Sequence, residues 1–428
     1  MNIAIISYYF NDHHAEGIVT AKLARGLSEA GHTVTVFGHL IGNQKVLDKN
    51  LVNLNYLKID STIPSWWKFL KKVAPPIALG KKILAIPNLI TYNSPDDYGW
   101  IIEARKAFLK EHRKRPFDIV HSRLNPHSSH QVALSIKKAD PNIPWCAYFS
   151  DPWPPHRLPA PYESSSGTLS RWRSDRLMRL FLKSSDSIIF TSAYMRNYII
   201  QGYERRLMDK SFLAPHLSTY WESPFDHIYE KTLTFRHSGI INKNRNPNVL
   251  FDGIRKYLEK NKTAYKFLRF EFLGRNYAGS KGKPLKPPHD LGKIVSFIEQ
   301  KDLEATWKWI GEADILLLLE FQFSQGIFFY AKLSDYLHAN RPILALSPNK
   351  GVVADLFKNG GGIISSPNDP NGVAEALDKL ISLWRSKNLQ INLNSSLAEH
   401  VKPANIIPIY EKAFELAMQN CQKSSIDF

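Results

Sequence analysis

Short apolar runs alternate with amphipathic segments along most of the chain. Residues 2–7 form an apolar run, residues 18–30 carry apolar side chains at helical spacing, and residues 33–37 form a second run after Gly31. Unbroken apolar runs favour buried strands, and apolar side chains three and four positions apart favour helices. Strands that alternate with helices are typical of parallel sheets with right-handed crossovers. The pattern predicts strands at residues 2–7, 33–37, 118–121, 145–149, 187–190, 232–237, 267–273, 293–297, 315–319, 342–346 and 362–365.

The strand pattern stops and restarts near the middle of the chain. Residues 214–230 contain Pro215 and Pro224 and show little periodicity. A chain of 428 residues also exceeds the size that one ordinary hydrophobic core supports. We therefore predict two doubly wound, Rossmann-like α/β domains, one over residues 1–220 and the other over residues 230–400.

The chain is strongly basic, with a formal net charge of +17. Such a charge favours acidic partners: nucleotide substrates, nucleic acid or an anionic membrane surface. The sequence carries no helix-turn-helix, RNA-recognition or zinc-knuckle signature, so nucleic acid is not an expected partner.

Cysteine usage and the N-terminal residues bear on the compartment. Cys146 and Cys421 lie far apart, so neither a disulfide framework nor a zinc site is expected, and a reducing, cytoplasmic compartment fits. His13 and His14 lack a third ligand at sensible spacing, and no metal is expected. The first apolar run is too short for a signal peptide, and no window reaches the ~20 apolar residues of a membrane span. Any membrane contact is therefore expected to be peripheral.

The segment after the strand at residues 315–319 combines a cation and an acid on one helix. Lys332 and Asp335 lie three residues apart, which places both on one side of the helix start. Open α/β sheets bind ligands beyond the carboxyl ends of their strands. A lysine there can hold a diphosphate and a carboxylate can hold ribose hydroxyls. The alternative is an ordinary solvated helix face.

A second basic loop follows the strand at residues 232–237. Gly239 allows the backbone to approach a ligand closely, and Arg245 lies just before a helix that starts near Pro247. A helix N-terminus favours anions, and arginine grips phosphate oxygens with paired hydrogen bonds. The alternative is a basic loop that only improves solubility.

These two segments resemble the K-L-x-E-Y-L and G…(R/K)-N-P patterns of nucleotide-sugar glycosyltransferases with the GT-B fold, in particular the retaining glycosyltransferase family four. The resemblance implies two Rossmann-like domains that face a cleft, with a C-terminal helix over residues 404–428 returning to the first domain. It also implies transfer of a sugar from a UDP- or GDP-sugar to a hydroxyl of a glycan or lipid-linked acceptor, with retention and without a cofactor.

The resemblance assigns roles to residues of the second domain. Arg245 and Lys332 would hold the donor diphosphate in the interdomain cleft, and Asp335 the ribose. Gly239 and Gly274 would border the nucleotide. The family often carries an acid eight positions before the second one, but here that position is Ile327. The donor sugar would then be held by Ser324, Gln325 and the backbone of Gly326.

The first domain would bind the acceptor. Asp151, in a Ser-Asp-Pro-Trp segment, would contact the donor sugar or stabilise an oxocarbenium-like transition state, unless it only forms an Asp-Pro turn. His121 ends a short strand and is either catalytic or structural. Gly17, in the first strand-to-helix loop, would lie near the acceptor or the donor phosphate.

A basic aromatic segment, residues 66–82, offers a candidate membrane surface. Residues 61–95 contain five lysines and no acid. Tryptophan favours the headgroup level, and lysines are attracted to anionic lipid. The segment is expected near the mouth of the cleft, on the inner face of the membrane. The alternative is that its aromatic side chains pack beneath the following helix.

Two other functions remain open. One is a GT-B epimerase that acts on the nucleotide sugar itself, which epimerisation without an acceptor would reveal. The other is a degenerate binding or scaffold subunit, which the apolar Ile327 favours. Loss of nucleotide-sugar hydrolysis with nucleotide binding retained would identify the second.

Overall fold

A computed structural model describes residues 1–10, 14–39, 53–73, 94–160, 163, 167–218, 231–389 and 395–426. The chain divides into two compact units, one formed by Met1–Pro215 with Ile406–Phe428 and the other by His216–Asn405. Each unit is built around its own parallel sheet with helices between the strands. The predicted fold class, two Rossmann-like doubly wound domains, is confirmed.

The first unit contains a seven-stranded sheet in the order β3-β2-β1-β4-β5-β6-β7. Its interior strand β1 is buried over nearly its whole length, as expected for a strand with helices on both sheet faces. The strands are β1 Asn2–Tyr9, β2 Thr33–His39, β3 Leu54–Lys58, β4 Ile119–Arg123, β5 Trp145–Phe149, β6 Ser187–Phe190 and β7 Ser211–Leu213, and the helices are α1 Ala15–Glu29, α2 Ser65–Val73, α3 Pro95–Lys114, α4 Ser128–Ala139, α5 Thr168–Ser184 and α6 Ala193–Ile200.

The second unit contains a six-stranded parallel sheet in the order β10-β9-β8-β11-β12-β13. Apolar side chains of the strands pack against the helices to form one core. The strands are β8 Leu233–Ser238, β9 Leu268–Leu273, β10 Val295–Ile298, β11 Ile315–Leu319, β12 Ile343–Leu346 and β13 Gly362–Ser365, and the helices are α7 Asn248–Lys260, α8 Leu303–Gly311, α9 Ala331–Ala339, α10 Val352–Leu356, α11 Pro370–Arg385 and α12 Ser395–Glu399.

The last helix, α13 Pro403–Ile426, contributes most of its residues to the first unit. The Glu411 carboxylate accepts a 2.8 Å hydrogen bond from Nε2 of His32, and the Asn420 side-chain amide donates to the Asp186 carbonyl over 2.9 Å. Tyr410 and Phe414 are fully buried. The helix is therefore tied to the first sheet by both polar and apolar contacts.

Each sheet has a point where successive connections leave in opposite directions. In the first unit it lies between β1 and β4, and in the second between β8 and β11. The loops that follow these paired strands diverge and leave a crevice at the carboxyl edge of the sheet. The two positions define where a site can form in each unit.

Two strands were not predicted from the sequence. β3 and β7 are short, lie at the two edges of the first sheet and are only partly buried. An edge strand needs no long apolar run, because one side of it has no neighbouring strand. The apolar pattern alone therefore does not reveal it.

Candidate active site

Two glycines bring the backbone of the second unit close together at the end of β8. Gly239 and Gly274 have φ angles of 127° and 130°, which favour glycine. A Cβ on Gly274 would lie 2.7 Å from the Gly239 carbonyl oxygen, and a Cβ on Gly239 would lie 2.6 Å from the Lys332 ammonium nitrogen. Side chains at either position would therefore displace the lysine or the neighbouring loop.

Lys332, in the first turn of α9, is held by a buried histidine. Its ammonium lies 3.1 Å from Nε2 of His237, while Nδ1 of His237 lies 2.9 Å from the Leu317 carbonyl oxygen. That carbonyl accepts a hydrogen bond from the Nδ1–H group, so Nε2 carries no proton and accepts a hydrogen bond from Lys332. Burial, and then the charge of Arg245, lowers the pKa of Lys332 well below its ordinary value. Burial and the Lys332 charge likewise lower the pKa of His237.

Arg245 lies in the loop before α7, and the loop holds it in place. Its backbone N–H donates to the Asn242 side chain over 3.0 Å. The guanidinium carbon lies 4.6 Å from the centre of the Phe321 ring and 4.7 Å from that of the Tyr330 ring. Its buried Nε has no hydrogen-bond partner within the described residues. The aromatic rings stabilise the cation but leave its hydrogen-bonding capacity available.

The two cations share one electrostatic environment. Lys332 and Arg245 stand at the N-terminal ends of α9 and α7, which follow neighbouring strands. Among the ion pairs of the described residues, none joins either cation to a carboxylate. Helix N-termini add partial positive charge. The arrangement is suited to bind a compact dianion.

Glu320 follows β11 and is buried beside this site. One carboxylate oxygen accepts from the Ser347 hydroxyl, whereas the other, Oε1, is buried and has no hydrogen-bond partner in the part of the chain that the structure describes. Burial raises the pKa of Glu320 to about 7, against the lowering effects of the Ser347 hydrogen bond and the Arg245 charge. A Cβ on Gly326 would lie 3.1 Å from the carboxylate, so the loop closes directly over it.

The loop expected to hold the donor sugar lies over Glu320. Ser324 is exposed and Gln325 is half-buried. The Gly326 N–H donates to the Lys350 carbonyl over 2.9 Å, and its carbonyl accepts from the Val352 N–H over 2.8 Å. Both backbone groups of Gly326 are thus already engaged within the unit.

Asp335 lies one helical turn after Lys332 and is largely buried, with 9% of its surface exposed. The next residue, Tyr336, accepts a 2.7 Å hydrogen bond from the Ser238 N–H and fixes α9 against the end of β8. Ile327, which stands where the family often carries an acid, is buried.

In the first unit, Asp151 lies at the carboxyl edge of the sheet after β5. The Asn125 side-chain amide donates to it over 3.2 Å, and the Ser150 hydroxyl lies 3.4 Å from the Glu16 carboxylate. Glu16 forms a fully buried 2.7 Å ion pair with Arg123, and Gly17 follows it in the first turn of α1. Polar groups from the ends of β4 and β5 and from the start of α1 therefore converge here.

His121 does not share this setting. It is fully buried within β4, and the rings of Tyr410 and Phe414 from α13 lie 5.5 Å and 5.4 Å from it. Burial, and then the Arg123 charge, lowers its pKa well below the ordinary value. The prediction of a catalytic role is corrected, because His121 lies inside the sheet with the aromatic rings of the C-terminal helix packed on it, apart from the polar groups at the carboxyl edge. The structural alternative fits.

Sequence reasoning missed His237 and Glu320. Each occupies a position in or immediately after an apolar strand, at its carboxyl end. A polar residue that interrupts an apolar strand of a doubly wound sheet at that end could have indicated them.

Helix α2 carries the described part of the basic aromatic segment; residues 74–82 lie outside the described residues. Trp66 and Phe69 are 43% and 63% exposed, whereas Trp67 is buried. Lys68 and Lys72 are exposed on the same helix. Among the described residues, no helix is both long and apolar enough to cross a membrane.

The sequence and the fold can be compared with known proteins. Residues 17–208 match the model of Glycosyltransferase Family 4. No curated protein matches the chain in sequence.

Several solved structures share the fold over nearly the whole chain. An α,α-trehalose-phosphate synthase (UDP-forming) from Burkholderia xenovorans is 11% identical, with 98% of this chain and 100% of that chain covered and a TM-score of 0.61. A mutant of TarM from S. aureus, in complex with fondaparinux, α-GlcNAc-glycerol and UDP, is 10% identical, with 97% and 100% covered and a TM-score of 0.62.

The protein has the GT-B fold, with two Rossmann-like units. The match to Glycosyltransferase Family 4 lies in the first unit and supports the prediction of a glycosyltransferase, whereas the motifs around Arg245 and Lys332 lie outside the matched residues.

The raised pKa of Glu320 has a consequence for stability. A buried carboxyl whose pKa rises from 4.5 to about 7 contributes stability that is present below pH 4.5 and is lost as the pH rises through 7. We expect this loss to amount to roughly 3 kcal/mol, and Glu320→Gln to remove it. Urea unfolding between pH 4.5 and 8 measures the effect. The exposed Glu304→Gln is the control, and an equal pH dependence in wild type and Glu320→Gln would contradict the expectation.

Proposed function

We propose that this glycosyltransferase takes a sugar from a UDP- or GDP-linked donor and transfers it to a hydroxyl of a glycan or lipid-linked acceptor, with retention of configuration. The second unit binds the donor and the first unit the acceptor. The observation that carries the proposal is the pair Lys332 and Arg245, two cations at the N-termini of α9 and α7 that no ion pair of the described residues joins to a carboxylate. A nucleoside diphosphate is a compact anion, and its negative charge complements these two cations.

The chemistry assigned to the second unit is stabilisation of the leaving group. Negative charge develops on the diphosphate as the bond to the anomeric carbon breaks. Two fixed cations and two helix N-termini offset this charge without having to reorganise. Gly239 and Gly274 allow the nucleotide to approach the backbone, and Asp335 is assigned to the ribose.

The remaining assignments concern the sugar and the acceptor. Ser324 and Gln325 are assigned to the donor sugar, whereas Gly326, whose backbone pairs with Lys350 and Val352, shapes the loop that carries them. In the first unit, Asp151 is assigned to the transition state or the acceptor, and Gly17 to the acceptor. Asn125 donates to Asp151 and positions its carboxylate at the sheet edge.

The known structures support a UDP-linked donor without excluding GDP. One similar protein is a UDP-forming synthase, and another was solved with UDP and α-GlcNAc-glycerol. Synthesis of a surface polysaccharide or glycoconjugate at the cytoplasmic face of a membrane would suit a lipid-linked acceptor and a basic protein. The transfer reaction itself is tested by incubation with UDP- and GDP-sugars and detection of released nucleoside diphosphate or an epimerised nucleotide sugar.

Removal of either cation should weaken nucleotide binding. We expect Lys332→Ala and Arg245→Ala each to reduce the binding free energy of UDP or GDP by about 1.5–3 kcal/mol, since each loses hydrogen bonds to a charged ligand. Isothermal titration calorimetry gives the measurement. Arg255→Ala, an exposed arginine of α7 paired with Asp290, is the matched control. Affinities that match wild type in both site variants would refute the diphosphate site.

Asp335→Asn tests the ribose assignment. We expect the dissociation constant of the better nucleoside diphosphate to rise by about tenfold or less, because Asp is shorter than the usual Glu and a water can bridge the gap. Wild type and variant should bind the same nucleotide with equal affinity when its ribose hydroxyls are removed. An unchanged affinity for the complete nucleotide would count against the role.

A membrane role for α2 is tested by flotation with liposomes. We expect binding to anionic vesicles but not to neutral ones, and weaker binding at high salt, because the Debye length falls from ~10 Å at 0.1 M to ~3 Å at 1 M. The double variant Trp66→Ser, Phe69→Ser should reduce flotation, whereas Tyr277→Ser, at an exposed aromatic of the second unit, should not. Equal flotation with both vesicle types, or none, would remove the membrane role.

A further inference from the structure

We propose that Glu320 binds a ring hydroxyl of the donor sugar through its unpartnered oxygen Oε1, and so supplies the acidic contact that Ile327 cannot make. The inference rests on the proposed donor site in the second unit and specifies how that site recognises the sugar. It concerns binding and substrate specificity rather than the breaking of a bond.

The first step is the position of the carboxylate. Glu320 follows β11, and its backbone N–H donates to the Leu346 carbonyl over 3.0 Å, which extends the pairing with β12. The side chain therefore starts from a rigid strand end at the point where the sheet connections diverge. A group fixed in this way can discriminate between ligands more sharply than one on a free loop.

The second step is the unsatisfied oxygen. Glu320 is only 4% exposed, yet Oε1 has no hydrogen-bond partner within the described residues. A buried carboxylate oxygen without a donor is costly, and its pairing with a donor recovers that cost. Ser347 already donates to the other oxygen and fixes the rotamer, so Oε1 is the atom left to accept.

The third step is the neighbourhood. Arg245, assigned to the diphosphate, is close enough to lower the pKa of Glu320, and the Nε of Arg245 is also buried and unpaired. The loop of Ser324 and Gln325 closes over the carboxylate through Gly326. Arg245 and Glu320 therefore influence each other electrostatically, and each carries one buried polar atom without a partner within the described residues, as expected where a ligand carries phosphate oxygens next to hydroxyl groups.

The fourth step is the comparison with Asp314, the acid at the opposite end of β11. One Asp314 oxygen accepts from both the N–H and the hydroxyl of Thr234, at 2.7 Å and 2.8 Å. Within the described residues Glu320 accepts only from the Ser347 side chain, and its other oxygen is buried and unpartnered, which is not the case for Asp314.

The experiment separates sugar binding from nucleotide binding. Dissociation constants of UDP, GDP, UDP-glucose, UDP-N-acetylglucosamine and GDP-mannose are measured by calorimetry for wild type and Glu320→Gln. We expect the variant to bind UDP and GDP within about twofold of wild type or more tightly, and to bind the preferred nucleotide sugar at least about tenfold more weakly, as for loss of a hydrogen bond to a charged group.

A matched variant and a stability measurement distinguish binding from structure. Asp314→Asn should lower the melting temperature and leave the ratio of nucleotide-sugar to nucleotide affinity unchanged. Glu320→Gln should melt no lower than wild type, since it replaces an unsatisfied buried carboxyl. A lower melting temperature together with an unchanged ratio would assign Glu320 a structural role and overturn the inference.

The remaining outcomes are also decisive. If Glu320→Gln binds every nucleotide sugar as tightly as wild type, the inference is overturned while the donor site stands. An equal loss for UDP and for the nucleotide sugar would place Glu320 in the diphosphate site instead. If wild type binds none of the five probes, the proposed function fails and the inference fails with it.

Discussion

A lysine ammonium that donates to a neutral histidine, with no carboxylate partner among the described ion pairs, is the interaction on which the candidate donor site depends. A buried charge of this kind is unfavourable unless hydrogen bonds and a counter-ion compensate it. Here His237 provides one hydrogen bond, and the Leu317 carbonyl keeps that histidine in the accepting tautomer. The lowered pKa of Lys332 reflects this incomplete compensation, and an anion bound beside it would stabilise its charged form.

The two units compensate the charge of an arginine near the carboxyl edge of the sheet in different ways. In the first unit, Arg123 is neutralised by Glu16 and stacks on Tyr148, with its guanidinium carbon 4.0 Å from the ring centre. In the second unit, Arg245 stacks on aromatic rings but has no acid as a partner among the described ion pairs. A closed ion pair stabilises local structure, whereas an open cation retains affinity for a ligand. The contrast explains why the anion site is assigned to the second unit.

The closely packed backbone around these cations restricts which substitutions the site tolerates. Gly239, Gly274 and Gly326 each contact a neighbour so closely that a methyl group would collide with it or press on it. The loops therefore fit one arrangement of Lys332, Arg245 and Glu320. This preorganisation is what electrostatic stabilisation of a leaving group requires, because a dipole or charge that must first reorient contributes less.

The apolar pattern of the sequence determined the interior strands and the fold class, because each such strand must bury its side chains on both faces. The motifs around Arg245 and Lys332 also identified the basic loops, since local spacing sets which side of a helix a residue occupies. Tertiary structure alone decided the edge strands β3 and β7, the burial of His121 beneath α13, and the setting of Glu320 under Gly326. Those contacts join segments far apart in the chain, and no local pattern records which distant segment will cover a given side chain.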